Sequence, residues 1–158
     1  MDEIEINARE AACQALMRYE KRGTFPATTL EELYRSNAME RRERALSAEL
    51  TYGTLEKLLP IDYFLETVSS RPVAALDTPV RALLRLAAYQ ILYLDRIPDH
   101  AAVNEAVEMA ERMSPRAKGF VNGVLRNLAR QKELLFLPEG GQPDKLSLRF
   151  PIAQPLVE

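Results

Sequence analysis

Residues 78–92 read TPVRALLRLAAYQIL, and apolar side chains recur there at helical spacing around most of the helix circumference. Thr78 before Pro79 is typical of a helix start, because threonine caps free amides and proline fits the first helical turn. So wide an apolar face is stable only when other elements cover it. The pattern predicts a central helix, nearly encircled, with Arg81 and Arg85 either snorkelling to the surface or buried in ion pairs.

The residues before this helix repeat the helical pattern. Asn7 is a plausible cap for a first helix over 7–22, and Thr29 for a short second helix. Apolar spacing predicts a long third helix over 40–59 that ends at Pro60. A short fourth helix is predicted to follow, with Asp62 as its cap.

The residues after the central helix predict two more helices. One covers 100–113, and the other begins at Ser114-Pro115, which repeats the signal of a cap followed by proline. No window alternates with period two, so strands are not supported. The fold class is therefore predicted to be all-α, a bundle of about seven helices over residues 1–137, followed by an irregular tail or linker at 138–158 that is rich in proline and glycine.

The composition excludes several classes of protein. A chain of 158 residues that is 47% hydrophobic and 28% charged has the size and balance of one globular domain. One cysteine and one histidine cannot form a zinc finger or an iron–sulfur cluster, so no metal site is expected. No apolar run is long enough for a membrane span, and the N-terminus lacks the apolar core of a signal peptide. A cytoplasmic protein is the expectation.

The charge is sorted along the chain. The formal net charge is −2, yet residues 112–132 hold six cations and no acid. This segment is therefore +6 and the remainder is −8. Such a patch can attract a polyanion, because local charge dominates within a Debye length of about 10 Å. A solvated helix face without a partner explains the same pattern about equally well.

Single residues that could carry chemistry have ordinary structural explanations. Cys13 beside an apolar stripe is read as a small buried filler, the alternative being a nucleophile. His100 before a helix is read as a cap, the alternative being a phosphate contact. Asn104 and Glu105 are read as a structural hydrogen-bond network.

Two glycines in the last helix also need a reason. Gly119 and Gly123 each cost about 1 kcal/mol relative to alanine inside a helix. Close approach of another helix is the predicted compensation. No strand or Lys-Ser/Thr pair accompanies them, so a phosphate loop is a poor fit.

The arginines give the most informative pattern, since guanidinium groups suit phosphates. A second arginine cluster near the start of the third helix is diluted by Glu40 and Glu43. The candidate phosphate-binding residues are Arg116, Lys118, Arg126, Arg130 and Lys132, with Arg41, Arg42 and Arg44 as an extension. No catalytic residue is predicted, because no nucleophile and base can be paired.

Three segments, taken in their order along the chain, resemble the NusB-like RNA-binding domain. They are ELTYGTL at 49–55, LRLAAYQILYLDRIPDHAAVNEAV at 84–107 and KGFVNGVLR at 118–126. The residues that carry the motif are Tyr52, Gly53, Tyr89, Gln90, His100, Asn104, Glu105, Gly119, Asn122 and Gly123. The details are most similar to the N-terminal module of Sun/RsmB-type ribosomal RNA cytosine-5 methyltransferases, and the NusB antitermination factors are the close relatives.

The resemblance implies a helical domain that holds ribosomal RNA for a separate C-terminal methyltransferase domain. That domain would bind S-adenosylmethionine and supply a catalytic cysteine, so this chain is expected to have no cofactor and no catalysis of its own. The alternative is a free-standing antitermination factor that binds RNA and a ribosomal protein. A stand-alone enzyme is a third reading, which the missing nucleophile–base pair disfavours. Domains of this family can also form homodimers.

Overall fold

A computed structural model of the chain describes residues 6–135, and within that range it contains helices and no strands. The seven α-helices are α1 Ala8–Arg22, α2 Pro26–Asn37, α3 Arg41–Glu56, α4 Leu58–Val68, α5 Thr78–Tyr93, α6 Asp99–Met113 and α7 Lys118–Gln131. Short 3-10 turns lie at Val73–Ala75, Pro115–Ala117 and Lys132–Leu134. The all-α prediction is confirmed, while the predicted tail at 138–158 lies outside the described residues.

Helix α1 begins and ends as its sequence predicts. The Asn7 side chain accepts a hydrogen bond from the Glu10 amide at 2.9 Å, and the Glu10 carboxylate accepts one from the Asn7 amide at 3.2 Å. This reciprocal capping box satisfies two amides that the helix leaves free. Gly23 ends the helix at φ 73°, a conformation that suits glycine.

The predicted starts of α2 and α4 are wrong. Helix α2 begins at Pro26, and Thr29 is a buried helical residue rather than a cap. Helix α3 ends at Glu56, so Pro60 lies in the first turn of α4, where a missing amide hydrogen costs no helical bond. Asp62 lies inside α4 and binds Arg85 instead of capping.

Helix α5 is the central element that its composition predicts. Ten of its residues are buried, and it packs against α1, α3, α4, α6 and α7. Its one buried amide, Gln90, accepts from Arg9 Nε at 2.8 Å and donates to the Leu86 carbonyl at 3.0 Å. The wide apolar face of α5 is thus buried against the other helices of the domain.

The two arginines of α5 are held in ion pairs, one of the two predicted fates. Arg85 donates to both oxygens of Asp62 at 2.9 and 2.8 Å, and it lies 3.7 Å from Glu20. Arg81 binds Glu20 and donates to the backbone carbonyl of Leu76. These contacts connect α5 to α1 and α4.

Two apolar clusters divide the packing of the domain. The larger one surrounds α5, and a smaller one places Leu30 and Leu33 of α2 against Ala11 and Ala15 of α1. Helix α2 packs on α1 and α3, whereas α7 packs on α4, α5 and α6. Side chains on α2 and α7 therefore lie in different parts of the surface.

Helices α6 and α7 pack against each other across a short connection. The predicted proline signal at Ser114-Pro115 starts a 3-10 turn, and α7 follows at Lys118. At the other end of the pair, Lys132 after α7 binds Asp99 at the start of α6. None of the helices described is long and apolar enough to cross a membrane.

Candidate nucleic-acid interface

Four residues of α7 lie on one side of the helix and are all exposed. Gly119, Gly123, Arg126 and Arg130 follow one another at intervals of four, three and four residues, which is the spacing of one helical face. We refer to these four residues as the α7 face. Arg116 is exposed in the 3-10 turn just before it.

The sequence predicts that another helix packs closely against the glycines of the α7 face. Within residues 6–135 the structure shows no such contact. A side-chain carbon built at Gly119 or Gly123 meets no atom within 4 Å among the residues that the structure describes. The cost of two helical glycines is therefore not offset by packing in this part of the chain. What they create is a stretch of helix backbone open to solvent beside two arginines.

Three of the six cations in 112–132 are paired with acids. Arg112 binds Glu10, Lys118 lies 3.3 Å from Glu111, and Lys132 lies 3.0 Å from Asp99. Within residues 6–135 the other three cations, Arg116, Arg126 and Arg130, have no carboxylate partner. Arg130 donates to the Asn127 side chain at 3.1 Å.

Lys132 departs most from its predicted role. Its ammonium donates to Asp99 and also to the Ile91 carbonyl at 3.2 Å, and its side chain is only 25% exposed. The predicted strip of five cations is therefore reduced to three arginines. Arg71, which the sequence reasoning missed, lies beside α7, with its guanidinium 5.4 Å from the ring centre of Phe120.

The arginine cluster of α3 lies apart from the α7 face. Arg41, Arg42 and Arg44 are exposed in the first turn of α3. Arg41 and Arg44 line a cavity of about 440 Å³ together with Arg35 of α2. Arg35 was not recognised in the sequence because α2 brings it to the cluster only in the folded chain.

One of the acids thought to dilute the α3 cluster has a structural partner. Glu43 accepts a hydrogen bond from the Ala8 amide at 2.8 Å, at the N-terminus of α1. A carboxylate is favourable there because the helix dipole is positive at that end. The negative charge of Glu43 is therefore partly compensated by the N-terminus of α1.

Several motif residues hold α3 against α5. Gly53 contacts Tyr89 so closely that an added side-chain carbon would overlap the tyrosine ring. Tyr89 stacks on Tyr93 with 5.8 Å between ring centres. Burial, followed by the charge of Glu49, raises the pKa of Tyr89 above its ordinary value. Tyr52 is 46% exposed, so this motif residue lies outside the buried face of α3.

The buried face of α3 consists mostly of polar side chains. Ser47, Thr51 and Thr54 are buried together with Leu50. The hydroxyl groups of Ser47 and Thr51 donate hydrogen bonds to backbone carbonyls of their own helix, at 2.8 and 2.7 Å. Burial of the Ser47 and Thr51 hydroxyls is tolerated because the helix itself satisfies them, whereas the buried Thr54 hydroxyl has no hydrogen-bond partner among the described residues. A count of apolar residues cannot reveal this.

The cap predicted for His100 is wrong, and the network predicted for Asn104 is not formed among the described residues. Helix α6 has Pro98 at its cap position and no side-chain cap, and both residues are exposed. Neither side chain forms a hydrogen bond within the described part of the chain, and Glu105 forms no side-chain hydrogen bond there either. Two polar side chains near the start of α6 are therefore exposed and have no hydrogen-bond partner within residues 6–135.

His100 and Asn104 line a cavity of about 260 Å³ between α6 and α7. Val103 and Ala129 supply apolar lining, and Arg126 and Arg130 of the α7 face complete the wall. We refer to this cavity as the α6–α7 cleft. Asp99 also lines it, and Lys132 neutralises that carboxylate.

Cys13 is the buried filler that the sequence predicts. Its thiol is 3.9 Å from the sulfur of Met17, and burial, followed by the charge of Glu10, raises its pKa to about 12. A thiol with so high a pKa is a poor nucleophile at neutral pH. Residues 6–135 also contain no group of His, Cys, Asp and Glu suited to a metal ion.

Comparison with known proteins agrees with the resemblance to the NusB-like domain that the sequence indicates. A model of the NusB family matches residues 6–130. The probable ribosomal RNA small subunit methyltransferase B of Bacillus subtilis is 37% identical over 80% of this chain, and that of Klebsiella pneumoniae is 35% identical over 82%. The chain spans only 28% and 30% of the length of these two relatives.

A solved structure extends the comparison to three dimensions. NusB of T. maritima superposes with a TM-score of 0.71 at 26% identity, covering 92% of this chain and 98% of that one. The likeness therefore includes nearly all of the relative's fold. Since the family model covers most of the chain and the helices follow the same arrangement, this protein belongs to the NusB family.

Proposed function

We propose that this domain binds ribosomal RNA and that the α7 face holds the phosphate backbone. The observation that carries the proposal is the set of three arginines, Arg116, Arg126 and Arg130, without carboxylate partners among the described residues, beside two bare glycines. Arginine forks bind phosphate oxygens through charge-assisted hydrogen bonds. Exposed helix backbone at Gly119 and Gly123 lets a sugar-phosphate chain come close without a steric barrier.

The α3 cluster would extend the same contact to another part of the surface. Arg35, Arg41, Arg42 and Arg44 lack carboxylate partners within residues 6–135. Because α2 and α7 pack on different helices, one short strand is not expected to fill both patches. A longer or folded RNA could reach both and gain affinity from two linked contacts.

The relatives suggest the setting in which this binding acts. Their names describe ribosomal RNA small subunit methyltransferases, and this domain corresponds to under a third of their length. We infer that the domain holds the RNA substrate for a methyltransferase domain and performs no catalysis itself. S-adenosylmethionine would then bind elsewhere, because nucleotide sites of open α/β sheets lie at strand ends, and residues 6–135 contain no strand.

A salt titration with matched variants tests the proposal. The probe is a fluorescently labelled fragment of small-subunit ribosomal RNA, measured by anisotropy. For three phosphate contacts to single-stranded RNA, log K should fall against log salt with a slope of about −2. Arg126→Ala with Arg130→Ala should weaken binding about equally for all sequences and make the slope shallower by about 1.4.

The control removes the same charge from paired arginines. Arg18 and Arg96 bind Glu32 and Glu49 at 3.0 and 2.6 Å, so their replacement by alanine should change binding little. Circular dichroism shows whether each variant keeps its helices. Equal losses in both double variants, or a flat salt response, contradict the assignment of the α7 face.

A second function is favoured by the coverage of the T. maritima NusB chain, 98% of which superposes on this domain. A domain of that size could act as a free-standing factor that binds a ribosomal protein as well as RNA. Capture of a purified ribosomal protein in the absence of RNA supports this reading. An open reading frame that continues into a methyltransferase domain supports the first one.

A further inference from the structure

The α6–α7 cleft combines three kinds of side chain that single-stranded RNA recognition requires. Val103 and Ala129 offer apolar contact, Asn104 offers an amide, and Arg126 with Arg130 offers positive charge. Sequence-specific binding of RNA mostly reads unstacked bases, which lie against flat or apolar groups and form hydrogen bonds along their edges. The cleft places these elements in one cavity next to the α7 face.

We propose that the α6–α7 cleft accepts one unstacked RNA base while the arginines of the α7 face hold the neighbouring phosphates. This inference rests on the proposed RNA binding and adds a site of base recognition to it. The Asn104 amide carries a donor and an acceptor, which matches the mixed donors and acceptors of a base edge. His100 and the arginine guanidiniums supply planar groups for stacking.

Three polar side chains of the lining lack a hydrogen-bond partner among the described residues, and this supports the assignment. His100, Asn104 and Arg126 form no side-chain hydrogen bond with any part of the chain that the structure describes. The nearby carboxylate of Asp99 does not repel a nucleotide strongly, because Lys132 lies 3.0 Å from it. The cleft therefore combines an apolar lining with three polar side chains that bind no group within residues 6–135.

The size of the cleft restricts the ligand. Its volume of about 260 Å³ is below the range of about 300–1,000 Å³ typical of pockets that enclose drug-sized ligands. It is suited to one ring system, with the attached ribose and phosphates outside. An acidic peptide would use the arginines but would leave the apolar lining and the Asn104 amide without a role.

The test compares a uridine 12-mer with a 12-mer of the same ribose-phosphate backbone that lacks bases. The intact chain should bind the uridine strand about tenfold more tightly, since stacking of one base contributes roughly that factor. Ala129→Leu fills the cleft without changing charge. It should reduce binding of the uridine strand to the abasic level and leave the abasic strand unaffected.

Two controls keep the readout specific to the cleft. Ala27→Leu makes the same change at an exposed position of α2, and Asn37→Ala removes an amide that donates to the Leu33 carbonyl outside the cleft. Both should bind all strands as the unaltered protein does. Asn104→Ala should bring the affinities for adenosine, cytidine and uridine 12-mers to within about twofold of one another.

Equal affinity for base-bearing and abasic strands overturns the cleft assignment and leaves phosphate binding by the α7 face intact. The cleft assignment is also overturned if Ala129→Leu weakens binding of the uridine and abasic strands equally, or weakens binding of neither. If the unaltered protein binds no strand in a salt-dependent way, the proposed RNA binding fails, and base recognition fails with it. Thermal unfolding of each variant identifies any change caused by loss of the fold.

Discussion

Lys132 and Asp99 form an ion pair across the packed helices α6 and α7, with 3.0 Å between Nζ and Oδ1. The pair ties the turn after α7 to the first residue of α6. It also removes one candidate cation and one acid from the rim of the α6–α7 cleft. The charge of this surface is therefore set by pairing and cannot be read from the number of lysines and arginines alone.

Replacement of Asp99 by asparagine should strengthen RNA binding. The change removes a negative charge beside the proposed phosphate contacts and releases the Lys132 ammonium toward them. Near a wet surface one such charge is worth about 0.6 kcal/mol, or roughly threefold in affinity. Anisotropy with the ribosomal RNA fragment at moderate salt measures the effect.

The matched control is Glu49→Gln, which releases Arg96 from a comparable ion pair that lies outside the α7 face. It makes the same charge change but should strengthen RNA binding less than Asp99→Asn does. If both variants gain equally, general charge rather than the α6–α7 cleft governs the affinity.

Alanine at Gly119 or Gly123 should stabilise the domain. Both positions have room for a side chain, so the gain is the ordinary helix preference of alanine, up to about 1 kcal/mol at each site. Urea unfolding should show a higher midpoint. RNA affinity should fall in the same variants if the sugar-phosphate chain approaches this backbone; unchanged affinity would place the RNA elsewhere on the domain.

Gly53→Ala should have the opposite effect on stability. Its side-chain carbon would overlap the Tyr89 ring, which is itself 9% exposed and stacked on Tyr93. Overpacking of this kind costs roughly 1–3 kcal/mol. A Gly53→Ala variant as stable as the unaltered protein would show that α3 can shift away from α5.

The fold was predictable from sequence where one local signal decides the outcome. The cap at Asn7 and the wide apolar face of α5 each have one physical solution, and the structure has both. Proline and threonine were misjudged in α2 and α4, because each residue is compatible with a cap and with a nearby helical position. Tertiary packing selects between them.

The candidate site was predictable in composition but not in arrangement. Arg126 and Arg130 share a face because helical spacing requires it. The pairing of Lys132 with Asp99 joins residues 33 positions apart, and the approach of Arg35 to α3 depends on the packing of α2. Long-range relationships of this kind depend on the fold.

Loss of the Arg85–Asp62 contact should destabilise the domain. Arg85→Ala removes two hydrogen bonds to a carboxylate that is 28% exposed and leaves that carboxylate next to an apolar helix. The expected loss is about 1–3 kcal/mol in the free energy of unfolding. A double-mutant cycle with Asp62→Ala isolates the pair; strict additivity of the two changes would mean that the ion pair contributes nothing.

The Cys13 thiol should make stability fall as the solution becomes alkaline. Burial raises its pKa from the ordinary value of 9.0 to about 12 in the folded protein. The unfolded chain therefore loses this proton first, so the contribution is complete below about pH 9 and is lost as the pH rises toward 12. Between about pH 8 and pH 10 the expected loss is about 1.3 kcal/mol.

The comparison with Cys13→Ala separates this effect from other groups. Tyr89 also has a raised pKa and contributes in the same direction, but its ordinary value is 10.0, so most of its contribution appears above the range chosen here. The alanine variant is expected to be less stable overall because it loses the sulfur from a packed site. Its free energy of unfolding should nevertheless decline less between pH 8 and pH 10. Parallel curves for the two proteins would mean that the thiol ionises as readily in the fold as in the unfolded chain, contrary to its complete burial.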